Sequence, residues 1–196
     1  MLRAITLILI SLVSLNTTSQ NSIIERVNDY LDSKNTFTDE VIYVSIKQQK
    51  LYYIQLDSII KEYIISSSAY GIGSTSGSNK TPIGLHSIRE KYGEKTPING
   101  KMIGRVFHGN IATIYTDEKR SKTDDVTSRI LWLEGLEKGK NKGKGIDSFK
   151  RYIYIHGTSE EGRLGKPASH GCIRMKNKEV IDLYNLVEVG TLVLIL

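Results

Sequence analysis

Two short stretches hold the residue types that could do covalent chemistry. One is Tyr154-Ile155-His156-Gly157-Thr158. The other is Ser169-His170-Gly171-Cys172-Ile173-Arg174-Met175. Cys172 is the single cysteine of the chain. A thiol is a weak nucleophile until it loses its proton; an imidazole can take that proton or, once protonated, stabilise the thiolate. His156 closes an apolar run, a rigid place from which to aim a ring. Sixteen residues later the chain has room to return and set Cys172 beside it. Gly171 presents no side chain before the sulfur, so the backbone there can approach a carbonyl. The N–H groups of Gly171 and Cys172 could face a developing oxyanion. Arg174 shares a face with Cys172 if the stretch is extended, and its guanidinium could grip a substrate carboxylate through two hydrogen bonds. Together these are the parts of an acyl-transfer site.

Plainer roles compete with each of these. Cys172 could be a small core residue, His170 a structural histidine bonded to loop backbone, and Arg174 a surface ion-pair partner. Zinc would need His156, His170 and Cys172 to be joined by His86 or His108. The His-x-Cys pair lacks the paired spacing usual in zinc sites. No Gly-x-Ser-x-Gly elbow is present, and the glycine-rich stretch near residue 71 lacks the Gly-Lys-Ser/Thr ending of a phosphate loop. No cofactor is called for.

Chain length and composition limit what surrounds the site. The 196 residues suit one domain with a real core. With 39% hydrophobic and 24% charged residues, wholesale disorder is excluded. The N-terminus reads as an address. Arg3 precedes an uncharged apolar run from Ala4 to Leu15, after which Asn16 to Gln20 turn polar. The run is too short to span a bilayer but fits a cleaved secretory signal ending near Ser19. A buried N-terminal helix or strand is the alternative. Cleavage would lower the net charge of +6 by one. A modest positive charge favours anionic partners without choosing between cell-wall polymer and nucleic acid. A lone thiol in an exported chain cannot pair internally, so it needs a reason to be there.

Hydrophobic periodicity supplies the elements that must position the site. Ser22 to Leu31 predicts a short amphipathic helix, with Ser22 and Glu25 at capping-box spacing. Val41–Ile46, Leu51–Leu56 and Ile59–Ser66, separated by tight polar turns, predict an antiparallel meander. Tyr70 to Gly84 is a glycine- and serine-rich loop long enough to serve function. Strands are expected at Leu85–Arg89, Ile111–Thr116, Arg129–Leu133, Arg151–His156 and Thr191–Leu196. A helix is expected over Asn177–Leu186, with Asn177 as its cap. The Gly/Lys loop from Lys138 to Gly145 reads as a solvated face. The sum is a mainly β domain with two or three short helices.

His156-Gly157-Thr158 followed by Ser169-His170-Gly171-Cys172-Ile173-Arg174-Met175 resembles the signature of L,D-transpeptidase (YkuD-type) catalytic domains. Thr81-Pro82-Ile83-Gly84 is similar to the Thr-Pro-x-Gly such domains carry before a strand, and Leu51-Tyr52-Tyr53-Ile54 to their first hairpin. The resemblance runs from about residue 40 to the C-terminus. It implies a β-sandwich or barrel that remodels peptidoglycan, with residues 1–19 as signal, 20–39 as a helical segment and 40–196 as the catalytic domain. Carried over by position, Cys172 would be the nucleophile and His156 the proton acceptor and donor. The backbone carbonyl of Gly157 would orient the ring, with no aspartate needed. Gly171 would offer its N–H, and Tyr154, Ser169, His170 and Arg174 would meet substrate or position the motif. The partner implied is a peptidoglycan stem peptide, attacked at its third residue; nucleic acid is not implied. An amine acceptor would complete transpeptidation and water would make a carboxypeptidase. An exported endopeptidase or amidase, or a wall-binding protein without turnover, are the other readings. Tyr92 to Gly145 does not align with the minimal family domain and is expected to form a cap or lid over the cleft. Location outside the cytoplasm, periplasmic or at the wall, is expected from the N-terminal signal-like run.

Overall fold

The computed structural model describes residues 20–196; the expected signal segment therefore lies outside the described residues. The first element is a helix, α1, through residues 20–32. It is already helical at residue 20, so Ser22 lies inside a turn rather than capping one. Ile23, Val27 and Leu31 recur every four residues and form its buried stripe.

Ten strands follow. β1 (Glu40–Ser45), β2 (Lys50–Gln55) and β3 (Ser58–Ser66) form the expected meander. The β2–β3 turn is two residues long, and Leu56 and Asp57 both have positive φ, the pattern of a type I′ turn. The remaining strands are β4 (Gly84–Tyr92), β5 (Gly100–Ile103), β6 (Val106–Ile111), β7 (Val126–Gly135), β8 (Tyr154–Thr158), β9 (Ile173–Met175) and β10 (Leu192–Ile195). A short 3₁₀ turn covers Glu161–Arg163, and the helix α2 spans Asn177–Leu186.

The sheet runs β4-β10-β1-β2-β3-β9-β8-β7, and β7 pairs back onto β4. Eight strands thus close into a ring with no free edge. The β1–β10 and β8–β9 contacts are parallel, and the others in the ring are antiparallel. All eight strands contribute to one apolar cluster, including Ile42, Leu51, Ile65, Ile88, Leu133, Ile155, Ile173 and Val193, which α2 joins through Val180 and Leu183. On the outer face of β1, β2 and β10, the alternate residues Val41, Tyr43, Tyr52 and Leu194 pack under α1. A third cluster, around Met102, Ile130, Trp132 and Tyr154, lies beneath the β5–β6 hairpin.

Three expectations change. The Ile111–Thr116 strand is displaced: β6 ends at Ile111, because Val106–Ile111 pairs with Gly100–Ile103 across the Gly104-Arg105 turn. The Tyr92–Gly145 stretch is not all lid. Val126–Gly135 within it is β7, a ring strand bonded to both β4 and β8; residues 93–125 and 136–145 lie outside the ring. The Lys138–Gly145 loop is not merely a solvated face. It is folded around the fully buried Asn141, whose amide accepts from Glu137 N–H and donates to the carbonyls of Ile83 and Leu85. Among the described residues no helix is long and apolar enough to cross a membrane.

Candidate active site

The parallel pairing of β8 with β9 sets the site. Ile155 faces Ile173 and His156 faces Arg174 across the two strands. Side chains alternate between faces, so Ile155 and Ile173 point into the core while Tyr154, His156, Cys172 and Arg174 share the other face. Cys172 immediately precedes β9, opposite Tyr154. It lies one strand across from His156 and two residues back along the chain, about 5 Å by about 7 Å in strand geometry.

The half-buried Cys172 sulfur is held by backbone. Its S–H donates to the Tyr152 carbonyl at 3.3 Å, and the Tyr154 N–H donates to Sγ at 3.4 Å. The sequence-predicted pair is thus brought to one face, with the thiol bonded to backbone rather than to the imidazole. His156 is 3% exposed, and its Nδ1 donates to the Gly157 carbonyl at 2.7 Å. That bond leaves Nε2 as the lone-pair nitrogen. Burial pushes the His156 pKa down to about 4, against smaller upward pulls from Gly157 and Asp124. Burial likewise pushes the Cys172 thiol up to about 11; the Tyr154 N–H and the cations of Arg174 and Arg151 oppose this only in part. Both groups therefore rest neutral.

Gly157 is required by space. A Cβ there would come within 2.7 Å of Asn177 Oδ1 and of the Thr127 carbonyl. Asn177 is a hub that sequence reasoning reduced to a helix cap. Lys176 is the actual N-cap residue; its own side chain makes no capping bond, and the Asn177 N–H donates to the Glu161 carboxylate at 2.8 Å. Asn177 Oδ1 instead accepts from Thr127 and Ser128 hydroxyls, each at 2.6 Å. Its Nδ2 donates to the Thr158 carbonyl and to Glu161, each at 2.8 Å. Ser128 sits in a bulge of β7 with φ of +64°, a local irregularity of the kind that re-aims side chains beside sites.

Burial and bonding turn Ser169, Gly171 and Arg174 toward the protein itself. The Ser169 side chain is locked inside the turn before Cys172. It donates to the Cys172 carbonyl at 2.6 Å and accepts from Gly171 N–H at 3.2 Å. The Gly171 N–H is thereby occupied and does not stand ready for an oxyanion in this conformation. What the turn asks of Gly171 is its φ of +122°, outside the ordinary range of other residues. Thr81, from the Thr-Pro-Ile-Gly stretch, donates to the Gly171 carbonyl at 3.0 Å and accepts from Ser68 N–H. That contact ties the glycine-rich loop to the turn. The Arg174 side chain is 2% exposed and bonded to Glu160 at 2.9 Å and Asp124 at 2.5 Å, so its guanidinium faces protein carboxylates, not the cleft.

His170 is exposed and bonds the side chain of Asp124 at 2.6 Å rather than loop backbone. Burial works against the Asp124 carboxylate, but Arg174 and His170 outweigh it and hold the pKa below the usual range. Asp124 and Glu160 thus supply the carboxylates that the motifs themselves lack. Asp124 is distant in sequence and carries no local signal; Glu160, four residues past His156, was within reach of inspection. Tyr154 is buried, and its phenol meets the Arg105 guanidinium at 3.2 Å. Arg151 donates to the carbonyls of Gly73 and Lys80 and lies close enough to the sulfur to favour its thiolate. The zinc alternative loses His86, which is buried with Nδ1 on the Gly84 carbonyl and Nε2 on the Ser148 hydroxyl. Among the described residues no group of three metal-ligating side chains is gathered.

Comparison with known proteins gives this geometry a family. A Bacillus subtilis protein named as the L,D-transpeptidase YqjB is 52% identical over 52 residues, covering 26% of this chain and 28% of that protein. The Bacillus subtilis protein named as the L,D-transpeptidase YkuD is 50% identical over 46 residues, covering 24% and 28%. These alignments take in less than a third of each relative. Among solved structures, an L,D-transpeptidase from Mycobacterium smegmatis superposes with a TM-score of 0.49 at 14% identity, covering 82% of this chain and 60% of that one. The carbamoyl enzyme that Ldtfm forms with avibactam superposes with a TM-score of 0.49 at 19% identity, covering 82% and 49%. The family model for the L,D-transpeptidase catalytic domain matches residues 39–195, most of the sequence and the whole strand ring, and the chain belongs to that family, YkuD.

Proposed function

We propose that this chain is a peptidoglycan L,D-transpeptidase that works through a thioester on Cys172. The observation that carries the reading is the β8–β9 pairing, which sets Cys172 and His156 on one face with the His156 tautomer fixed by Gly157. In this reading the thiol, on the same face as the imidazole, leaves the Tyr152 carbonyl to meet Nε2. His156 then takes the S–H proton as sulfur bonds to the carbonyl carbon of the third stem residue. The C–N bond to the terminal D-residue breaks, and the leaving amine takes the proton from His156. An acceptor amine gives its proton to His156, attacks the thioester and restores the thiol. Because both groups rest neutral, the proton passes from sulfur to His156 in concert with attack on the carbonyl rather than from a standing ion pair.

Arg174, Glu160, Asp124 and Asn177 hold the two strands in place; in this reading they are positioning residues. Residues 1–19 direct export, and the mature chain acts at the cell wall on stem peptides. Incubation with tetrapeptide muropeptides and mass analysis of the products tests the reaction. Joined stems with loss of one terminal residue are expected, and no joining by Cys172→Ala. Trimmed stems alone would make the chain a carboxypeptidase, and cleaved cross-links an endopeptidase.

A further inference from the structure

Arg105 stands in an unusual place for a surface arginine. It is the second residue of the two-residue turn between β5 and β6, with φ of +70° after Gly104 at +57°. From there its side chain folds back over aromatic rings. The guanidinium carbon lies 4.5 Å from the Trp132 ring centre, 5.6 Å from Tyr92 and 5.9 Å from Tyr152. One nitrogen donates to the Tyr154 hydroxyl at 3.2 Å. The rings beneath are themselves fixed: Trp132 stacks on Phe149 at 3.9 Å, meets Tyr154 edge-on and donates its N–H to the Phe149 carbonyl.

Two features turn this cluster toward the chemistry. Tyr152 and Tyr154, which hold the sulfur through their backbone carbonyl and N–H, are also residues whose rings surround the guanidinium. Cys172 packs against the same aromatic cluster that Arg105 covers. Its polar partners are phenols, of Tyr154 and Tyr92, and among the described residues no carboxylate lies within ion-pair distance of it. A guanidinium has five N–H donors in a planar fork, and two phenols leave most of them free. Stacking on rings holds that fork flat at little entropic cost. Of the two arginines whose charge reaches the sulfur, Arg174 is closed off by Asp124 and Glu160, and Arg151 is bonded to the carbonyls of Gly73 and Lys80.

We propose that Arg105 binds the terminal carboxylate of the acyl donor's leaving residue, and so makes the site select donors that end in a free acid. The proposal rests on the transpeptidase reading above. In such a donor the terminal carboxylate lies one residue, about 3.5 Å of extended chain, beyond the carbonyl that Cys172 attacks. Arg105, held over the tyrosines that flank the sulfur, is the cation assigned to that carboxylate. Release of the residue as a free amino acid then needs no new group: the C–N bond breaks, and the amine leaves with the proton from His156 while its carboxylate stays on Arg105.

Two tetrapeptide donors that differ only in a terminal carboxylate or carboxamide test this. Release of the last residue is measured as kcat/KM for wild type, Arg105→Gln and Arg105→Lys. Wild type is expected to favour the acid about 10- to 100-fold, the range of a charge-assisted bidentate contact. Arg105→Gln should bring the ratio near one through loss on the acid donor, and Arg105→Lys should retain part of it. Alkylation of Cys172 by neutral iodoacetamide and the thermal midpoint report whether the ring cluster still stands. An unchanged ratio in a folded Arg105→Gln, or no preference in wild type, overturns the assignment of Arg105 alone. Failure of folded wild type to release the residue from either donor overturns the transpeptidase reading, and this proposal with it.

Discussion

Nδ1 of His156 donates to the carbonyl of the next residue, Gly157, at 2.7 Å, and that single bond decides which nitrogen of the ring can act as a base. A carbonyl can only accept, so the proton sits on Nδ1 and the lone pair on Nε2. The bond needs the Gly157 backbone where it is, pressed against Asn177 and β7.

Gly157→Ala should therefore damage both fold and chemistry. The added methyl meets Asn177 Oδ1 and the Thr127 carbonyl at 2.7 Å, and backbone cannot step aside cheaply. A loss of about 2 kcal/mol in denaturant unfolding is expected, with a fall in turnover larger than the fall in substrate affinity. Unchanged turnover would show that the position of His156 does not depend on this contact.

Arg174→Met should destabilise the domain by about 3–5 kcal/mol, because it strands Glu160 and Asp124 without their cation. Arg174→Lys should recover part of that. If Arg174 instead held substrate, Arg174→Met would raise KM and leave the unfolding midpoint alone, so urea titration beside steady-state kinetics separates the two.

Acid should weaken the fold through its buried histidines. His156 and His86 are both held near a pKa of about 4 by burial, below the unfolded value of 6.5. Between those values the unfolded chain binds protons that the folded chain does not, so stability falls as pH drops from about 6.5 towards 4. The contribution is on the order of 3 kcal/mol for each ring. Thermal midpoints measured from pH 7 to 4.5 should decline through that window. A flat profile would mean that the rings are not held neutral.

The thiol should respond at the other end. With the Cys172 pKa raised to about 11, its alkylation by iodoacetamide in the absence of substrate should keep rising with pH beyond 9. A plateau reached near neutrality would instead reveal a standing thiolate–imidazolium pair.

Much of this site could be read from the sequence because its signals are local. Cys172, His156 and Gly157 stand in two short motifs, and the meander and α2 follow from periodicity over single elements. What escaped depends on pairing across the chain. Asp124 reaches Arg174 and His170 from a loop some fifty residues away, and no spacing announces that. Arg174 read as a substrate contact or a surface ion-pair partner; its burial against Glu160 is a property of the folded ring. Ser169 was expected to meet substrate and Gly171 to offer its N–H to an oxyanion, but in this conformation their polar atoms close a turn on each other. The Ile130–Gly135 stretch looked like part of a lid, since alternation shows that a strand exists but not which strands it joins.

The central claim is that Cys172 is the nucleophile that carries the acyl group. Intact-mass analysis of the folded chain after incubation with a carbapenem tests it most directly. One adduct is expected, located at Cys172, absent from Cys172→Ala and formed far more slowly by His156→Ala. A folded protein that stays unmodified, or one modified equally well after Cys172→Ala, would contradict the account.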